Sequence, residues 1–396
     1  MADKHDLIIV GGGVMGSSLA YHLRKDGYTG SIAVFEQDRM YEYSSTPRSY
    51  GGFRQTFGTE GNIRMSRYSF QVFKNFATEM ALDGEPAVID FKPHGYLYLA
   101  DDRILSILKD NMKRQKRCGV NVQLLTPSDV KGLVPELNVD DLAGAVFDVE
   151  AGNADPYSVL QWYVKHARRL GVDYIYEKVQ AILTDTGQVT GVRLANGREH
   201  CAPVVVNAAG AWSGEISRTA GVDIPVRPLR KQVYCIDVAM PFPRDLPFVF
   251  DLSGTYFLGE GSKVIAGARE GAHLAEQRES SFDFSFHLDR SFFNDEVWPL
   301  LAHRSPHFEK LKLERGWAGL YEYNYVDHNA IIGLHPQVRG YYLITGFSGH
   351  GFQQSPAAGK GLSELIRWGK YRTMDLSAFS PERFAGNRLI FESEVY

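Results

Sequence analysis

DLIIVGGGVMGSSLAYHLRKDGYTGSIAVFEQD (Asp6–Asp38) contains an apolar run, three consecutive glycines, an amphipathic stretch and a second apolar run ending at Glu36. Leu7 to Val10 suits a strand buried on both faces. Val14 to Asp26 sets Val14, Leu19 and Leu23 on one helical face, and Gly27 stops the helix. Ser31 to Glu36 reads as the next strand. Glycine is a poor helix former, so Gly11, Gly12, Gly13 and Gly16 at a helix start need a reason. Gly11, Gly13 and Gly16 fit G-x-G-x-x-G: the first permits a tight turn, the second lets backbone N–H groups approach a pyrophosphate, and the third lets helix pack on sheet. The helix then presents its positive end to the phosphates. Glu36, at the end of the second strand, is placed to hold ribose hydroxyls, which favours FAD or NAD over NADP.

The bulk properties narrow the field. The 396 residues exceed one small core, and two domains are expected. The composition, 44% hydrophobic and 23% charged, is that of a globular protein, and a net charge of −4 gives no reason to expect nucleic acid or an anionic membrane. Cys118, Cys201 and Cys235 have no metal-type spacing and form no even framework, so a reducing compartment and no metal are expected. The polar start MADKHD runs straight into the first strand without room for a signal peptide, and no segment is apolar for the length of a membrane span. A cytoplasmic location is the expectation.

Only one complete strand–GxGxxG–helix unit is present, which leaves an NAD enzyme with one nucleotide domain or an FAD enzyme whose substrate itself delivers the electrons. Two distant segments bear on this choice. VVVNAAGAWSGEI (Val204–Ile216) is an apolar strand running into Ala208, Ala209 and Gly210, which let a ligand or another backbone come close. GYYLITGFSGHGFQQSPAAGKGLSELI (Gly340–Ile366) repeats the design: a strand, Tyr341 to Thr345, enters the loop Gly346 to Gly351, and a helix follows. Backbone donors at that helix start suit the N1–C2=O edge of a flavin, where negative charge collects on reduction.

Together with SSTPRSYGGFRQTFG (Ser44–Gly58), ADPYSVLQWYVKHARRLGV (Ala154–Val172), GWAGLYEYNYVDHNAIIG (Gly316–Gly333) and DLSAFSPERF (Asp375–Phe384), these segments resemble the D-amino acid oxidase superfamily of FAD-dependent amine oxidoreductases. The nearest branch is that of sarcosine oxidase and its relatives, including glycine oxidase, and the likeness covers nearly the whole chain. The resemblance implies an α/β (α+β mosaic) fold: a Rossmann-type FAD-binding domain and a substrate domain on a large mixed β-sheet. The FAD domain would take about residues 1–86, 150–217 and 318–370, the substrate domain 87–149 and 218–317, and a C-terminal tail 371–396. KPHGYLYLADD (Lys92–Asp102) and GTYFLGEGSKVIAGA (Gly254–Ala268) alternate as half-buried strands do.

The same resemblance implies the site residues. FAD contacts are expected from Gly11, Gly13, Val14, Met15 and Gly16; from Glu36 and Gln37; from Ser44, Ser45, Arg48 and Ser49; and from Val179, Ala208, Ala209, Gly210 and Trp212. The last group is Gly319, Gly346, Ser348, Gly349, His350, Gly351, Phe352 and Gln353. Arg54 would grip a substrate carboxylate with its guanidinium fork, and Tyr256 would lie near the substrate. Gln353 replaces a lysine that helps bind carboxylate in monomeric sarcosine oxidase. The lysine that promotes reaction with oxygen there falls at Ile265. Lys263 lies on the same strand face and Lys231 is a spare candidate; Arg269 replaces the neighbouring histidine. The cysteine that links FAD covalently in that enzyme falls at Gly319, so the FAD should be noncovalent. His350 reads as a residue lining the flavin or as a base, and His328 lies near the flavin in the family pattern.

The reaction implied is removal of a hydride equivalent from the carbon next to nitrogen of a small amine or amino acid, a secondary amine or N-alkyl amino acid, onto flavin N5. The resulting imine is hydrolysed and the electrons pass to oxygen. Loss of the oxygen-activating lysine supports a dehydrogenase passing electrons to another acceptor or partner subunit. A third reading is a non-catalytic FAD-binding assembly factor. An oligomer is open.

Overall fold

The computed structural model of the chain describes residues 3–242, 246–268 and 286–393. At its centre is a six-stranded sheet in the order Ile331–Leu334, Tyr341–Thr345, Val205–Asn207, Leu7–Val10, Ile32–Phe35, Asp173–Ile175. All pairings are parallel except the first, which is antiparallel. Parallel strands are covered on both sides because their crossovers lie on the faces, and the alternation of side chains shows both covers. Leu7, Ile9, Ile32 and Val34 share one cluster with the helices Val14–Lys25, Pro156–Arg169 and Gly351–Trp368. Ile8, Val10, Ala33 and Phe35 share another with a four-stranded sheet built on Val179–Asp185, Gln188–Leu194, Glu199–Cys201 and Asp3–Lys4.

The first helix starts at Val14 and stops before Gly27, whose φ of +86° carries the chain away. The last long helix, Gly351–Trp368, ends in the same way at left-handed Gly369.

A second sheet has eight strands in the order Leu311–Asn324, Val226–Val238, Lys263–Ala268, Thr255–Glu260, Phe248–Phe250, Tyr96–Ala100, Gly144–Asp148, Val122–Leu125. It is antiparallel except between Phe248–Phe250 and Tyr96–Ala100, so it is mixed. Tyr96, Phe248, Phe250 and Ile265 pack on one face; Leu97, Val249, Phe257 and Val264 pack on the other against the helix Trp298–Arg304 and its neighbours. The alternation of KPHGYLYLADD therefore misleads. Tyr96–Ala100 is buried at every position, because it lies inside the sheet with both faces covered and its tyrosines serve as core residues.

The longest pairing, Val226–Val238 with Leu311–Asn324, brings Lys231 opposite Gly319 and Pro228 opposite Glu322. A short antiparallel pair, Gly52–Phe53 with Gly152–Asn153, carries the chain into Arg54. Among the described residues, no helix is long and apolar enough to cross a membrane. Arg269 lies outside the described residues.

Candidate active site

The carboxyl ends of the parallel strands open into a cavity of about 1080 Å³ that continues to the large sheet. This is where an open α/β sheet offers a crevice. Its walls are best read from the glycines. A Cβ on Gly11 would stand 2.2 Å from the Ala208 carbonyl oxygen, and one on Gly16 would stand 2.0 Å from the Gly11 carbonyl oxygen. Those two positions are closed by the protein itself. Gly13 differs: its nearest neighbours would be Ser44 Oγ and Thr46 Oγ1 at 3.7 Å, an ordinary contact, yet it lines the cavity. Its missing side chain leaves room for whatever enters.

The helix after Gly13 has no side-chain cap and no acidic residue in its first turn. Val14 N–H donates to Thr46 Oγ1 at 3.3 Å, and Met15 lines the cavity beside it. Uncapped amides at the positive end of a helix suit an anion. Glu36 accepts from the Gly12 N–H at 2.8 Å and from the Asp38 N–H at 2.9 Å, while burial pushes its carboxyl up. The cavity runs on past Glu36 and Gln37 to Glu177, Lys178, Val179 and Gln180. Asn207 holds the turn at Ala208–Gly210. Its side-chain amide donates to Ser213 O, Ser217 Oγ and Tyr341 Oη, and its Oδ1 accepts from the Ala209 N–H at 3.1 Å. The second glycine loop has left-handed residues at Gly346, Ser348 and Gly349, and the helix after it also starts uncapped, at His350. This geometry meets what FAD requires: room for a pyrophosphate at the first cradle, a carboxylate beyond it, and amides at the second helix start.

Elsewhere on the cavity wall, Arg54 N–H donates to Gln353 Oε1 at 2.8 Å, and its guanidinium lies 4.7 Å from the Phe57 ring centre. Arg54 Nη2 is 3.2 Å from His350 Nε2. Arginine only donates, so His350 accepts at Nε2 and carries its proton at Nδ1. Burial, and then the Arg54 charge, pushes the His350 imidazole down to about 3. That nitrogen is engaged, which favours a lining role over that of a base. Tyr50, Tyr96, Phe250, Tyr256 and Tyr321 form an aromatic wall beside Arg54.

Every expected site residue lines this cavity except Gly16, Gly346 and Lys263. Gly16 packs helix on strand, and Gly346 turns the loop against Val226 and Ile331. Lys263 is a correction to the reading of the substrate end. It shares the strand with Ile265, but its ammonium forms an ion pair with Glu314 away from the cavity. Lys231 does line the cavity, as does His328, whose Nε2 lies 2.7 Å from Tyr323 Oη. Ser45, Ser49, Trp212 and Phe352 also lie on the wall. Arg48 reaches the wall, but its Nε and Nη1 donate to the carbonyls of Glu42 and Ala318. A Cβ on Gly319 would meet Arg48 Cβ at 3.1 Å. The sequence reading missed Thr46, Tyr50, Tyr96, Lys178, Phe250, Tyr321 and Glu322. Of these, Tyr50 and Thr46 sit in the SSTPRSYGGFRQTFG segment and Tyr321 and Glu322 in GWAGLYEYNYVDHNAIIG, and could have been drawn from them. Tyr96 and Phe250 are strand residues and Lys178 precedes the strand Val179–Asp185, all without a local signal.

Residues 6–365 match the family described as FAD dependent oxidoreductase (DAO). FAD-dependent oxidoreductase domain-containing protein 1 of Xenopus laevis is 36% identical, over 99% of this chain and 85% of its own length. Mitochondrial sarcosine dehydrogenase of Homo sapiens is 26% identical over 96% of this chain, but only 41% of its own length. Among solved structures, L-proline dehydrogenase from P. horikoshii superposes with a TM-score of 0.85 at 28% identity, covering 98% of this chain and 100% of that one.

Proposed function

The chain belongs to the DAO family of FAD-dependent oxidoreductases, and we propose that it oxidises a small amine or amino acid bearing a carboxylate, a secondary amine or N-alkyl amino acid. The observation that carries this reading is Arg54, set between Gln353, His350 and Phe57 on the wall of the same cavity as the Gly11–Gly13 turn. Bound in the cavity, FAD supplies the chemistry of two-electron oxidation at the carbon next to nitrogen. The Arg54 fork would hold the substrate carboxylate and so fix which carbon faces the cofactor. Its neutral partner His350 orients the guanidinium without cancelling its charge. The wall of Tyr50, Tyr96, Phe250, Tyr256 and Tyr321 would exclude water from the reacting carbon. The imine product is hydrolysed by water.

The acceptor reading that we favour is a dehydrogenase. Lys263 pairs with Glu314 outside the cavity, and Ile265 packs in the core with Tyr96 and Phe250. Neither supplies a cation at the position where the family's oxygen-using branch carries lysine. The names of sarcosine dehydrogenase and L-proline dehydrogenase among the similar proteins agree with this. A cytoplasmic setting and a noncovalent FAD belong to the same proposal. The test is anaerobic exposure of the yellow holoenzyme to a panel of N-methyl and D-amino acids, followed by air. Bleaching by at least one amine is expected, with slow recovery in air. A panel that leaves the flavin oxidised defeats the amine reading, and peroxide release at the rate of bleaching defeats the dehydrogenase reading.

A further inference from the structure

Glu322 is a carboxyl group facing the FAD cavity for which the proposed reaction has no use. It lies near the end of the strand Leu311–Asn324, beside the loop that starts at Gly346. Thr345 Oγ1 donates to its Oε2 at 2.9 Å, and the same hydroxyl contacts Ser213 Oγ at 2.7 Å. The amides of Gly346 and Phe347 also bond it. Its other oxygen points between the two glycine cradles: a Cβ on Gly351 would stand 3.4 Å from Glu322 Oε1 and 3.4 Å from Met15 Cε. Met15 and Gly351 belong to the first turns of the two helices that face the cofactor. A dinucleotide that reached from one helix start to the other would cross this gap.

The groups facing Glu322 from the packed elements are uncharged. They are Thr345, Ser213, the Gly346 and Phe347 amides, Gly351, Met15 and, opposite it on the paired strand, Pro228. Among the described residues, no charged side chain hydrogen-bonds or pairs with it. Burial outweighs the hydroxyl and amide bonds and pushes the carboxyl up to about 7. A pyrophosphate brings two negative charges and displaces water, and both effects disfavour a second anion without a cation nearby.

We infer that Glu322 is an FAD-binding residue that engages the cofactor as a neutral carboxylic acid, so that binding FAD in mildly alkaline solution takes up one proton from solvent. As an acid it offers its one O–H as a donor to an oxygen of the cofactor's central span. As a carboxylate it offers only acceptors.

The experiment measures FAD affinity of apoprotein between about pH 6 and 9, for wild type and Glu322→Gln, by quenching of free flavin fluorescence. Calorimetry in phosphate and in Tris, whose ionisation enthalpies differ, counts protons. Wild-type affinity should be level below about pH 7 and fall roughly tenfold per unit above it, with uptake approaching one proton. Glu322→Gln, which keeps a donor at all pH values, should bind with neither the added slope nor the proton. Any contribution of Glu36 is common to both proteins and cancels in the difference. Thr345→Val removes a donor to the carboxylate and should move the break to higher pH. Equal slopes in wild type and Glu322→Gln overturn the inference. So does wild-type binding without proton uptake, which decides the matter even if the glutamine variant fails to fold.

Discussion

Replacing Gly11 by alanine tests the cradle at the point where the chain has least freedom. Gly11 has a φ of +103°, and the new Cβ would stand 2.2 Å from the Ala208 carbonyl oxygen and 2.7 Å from its carbon. Both are main-chain atoms, so no side-chain rotation relieves the contact. The positive φ costs a residue with a Cβ about 1–2 kcal/mol, and forcing two backbones apart adds about 1–3 kcal/mol of overpacking. The sum, about 2–5 kcal/mol, is a large part of the roughly 5–15 kcal/mol that holds a domain folded. It falls between the strands Leu7–Val10 and Val205–Asn207 that position the nucleotide end. Gly221→Ala separates the two costs, since Gly221 has a φ of +78° with nothing within 4 Å. Urea unfolding of the apoproteins and bound flavin per chain, from visible absorbance, are the assays. Gly221→Ala should lose about 1–2 kcal/mol and keep its flavin. Gly11→Ala should lose clearly more and hold little or none. If both variants are equally stable and both bind a full complement of FAD, the steric reading of the cradle is wrong.

Three further outcomes are expected. Arg54→Ala should lower kcat/KM for a carboxylate-bearing amine by roughly 10–150-fold, the worth of a charge-assisted hydrogen bond of about 1.5–3 kcal/mol, and barely touch the matched amine without a carboxylate; an equal loss on both refutes carboxylate binding. Asp148 is fully buried, accepts from Gln55 N–H at 2.7 Å and leaves Oδ1 unpaired, and burial pushes it up to about 6. Its folded-state value exceeds the unfolded one, so its stability contribution is present at low pH and is lost as pH rises through about 6; Asp148→Asn should therefore gain up to roughly 3 kcal/mol on wild type between about pH 4 and 7.5, read by urea unfolding at each pH. Acid precipitation of the holoenzyme should leave a colourless pellet, because none of Cys118, Cys201 and Cys235 lines the cavity and position 319 is glycine; a yellow pellet would show a covalent bond.

The nucleotide end was legible in the sequence because its constraints are local. A tight turn, a helix start and an acid at the next strand's end lie within Gly11–Glu36, and each demands a residue type that has few other uses there. Asn207 and Ser213 lay inside a segment already singled out, but Ser217 and Tyr341 join them only in three dimensions. Of the aromatic wall only Tyr256 was legible, and through the family resemblance alone. Tyr96, Phe250, Tyr256 and Tyr321 come from four different strands, and in sequence each looks like an ordinary strand aromatic. Alternation in GYLYLA suggested one wet face because tyrosine reads as polar. The sheet instead covers both faces and uses the rings as apolar bulk.

Lys263 shows why spacing alone could not settle the substrate end. Strand alternation correctly puts it on the face of Ile265, but face is not reach. A lysine at a strand's first residue has a long flexible stem and settles on the nearest carboxylate, here Glu314 on the strand Leu311–Asn324. Nor would a lysine at position 265 be free to a designer or to evolution. That site packs with Tyr96, Val233 and Phe250, where an ammonium without a partner would lose its charge or cost several kcal/mol. Placing a cation at position 265 would therefore require repacking the wall, and the wall also shapes the substrate site. The choice of electron acceptor and the choice of substrate are thus coupled through the same aromatic side chains, and the second glycine loop joins them, because His350 and Gln353 both bond Arg54.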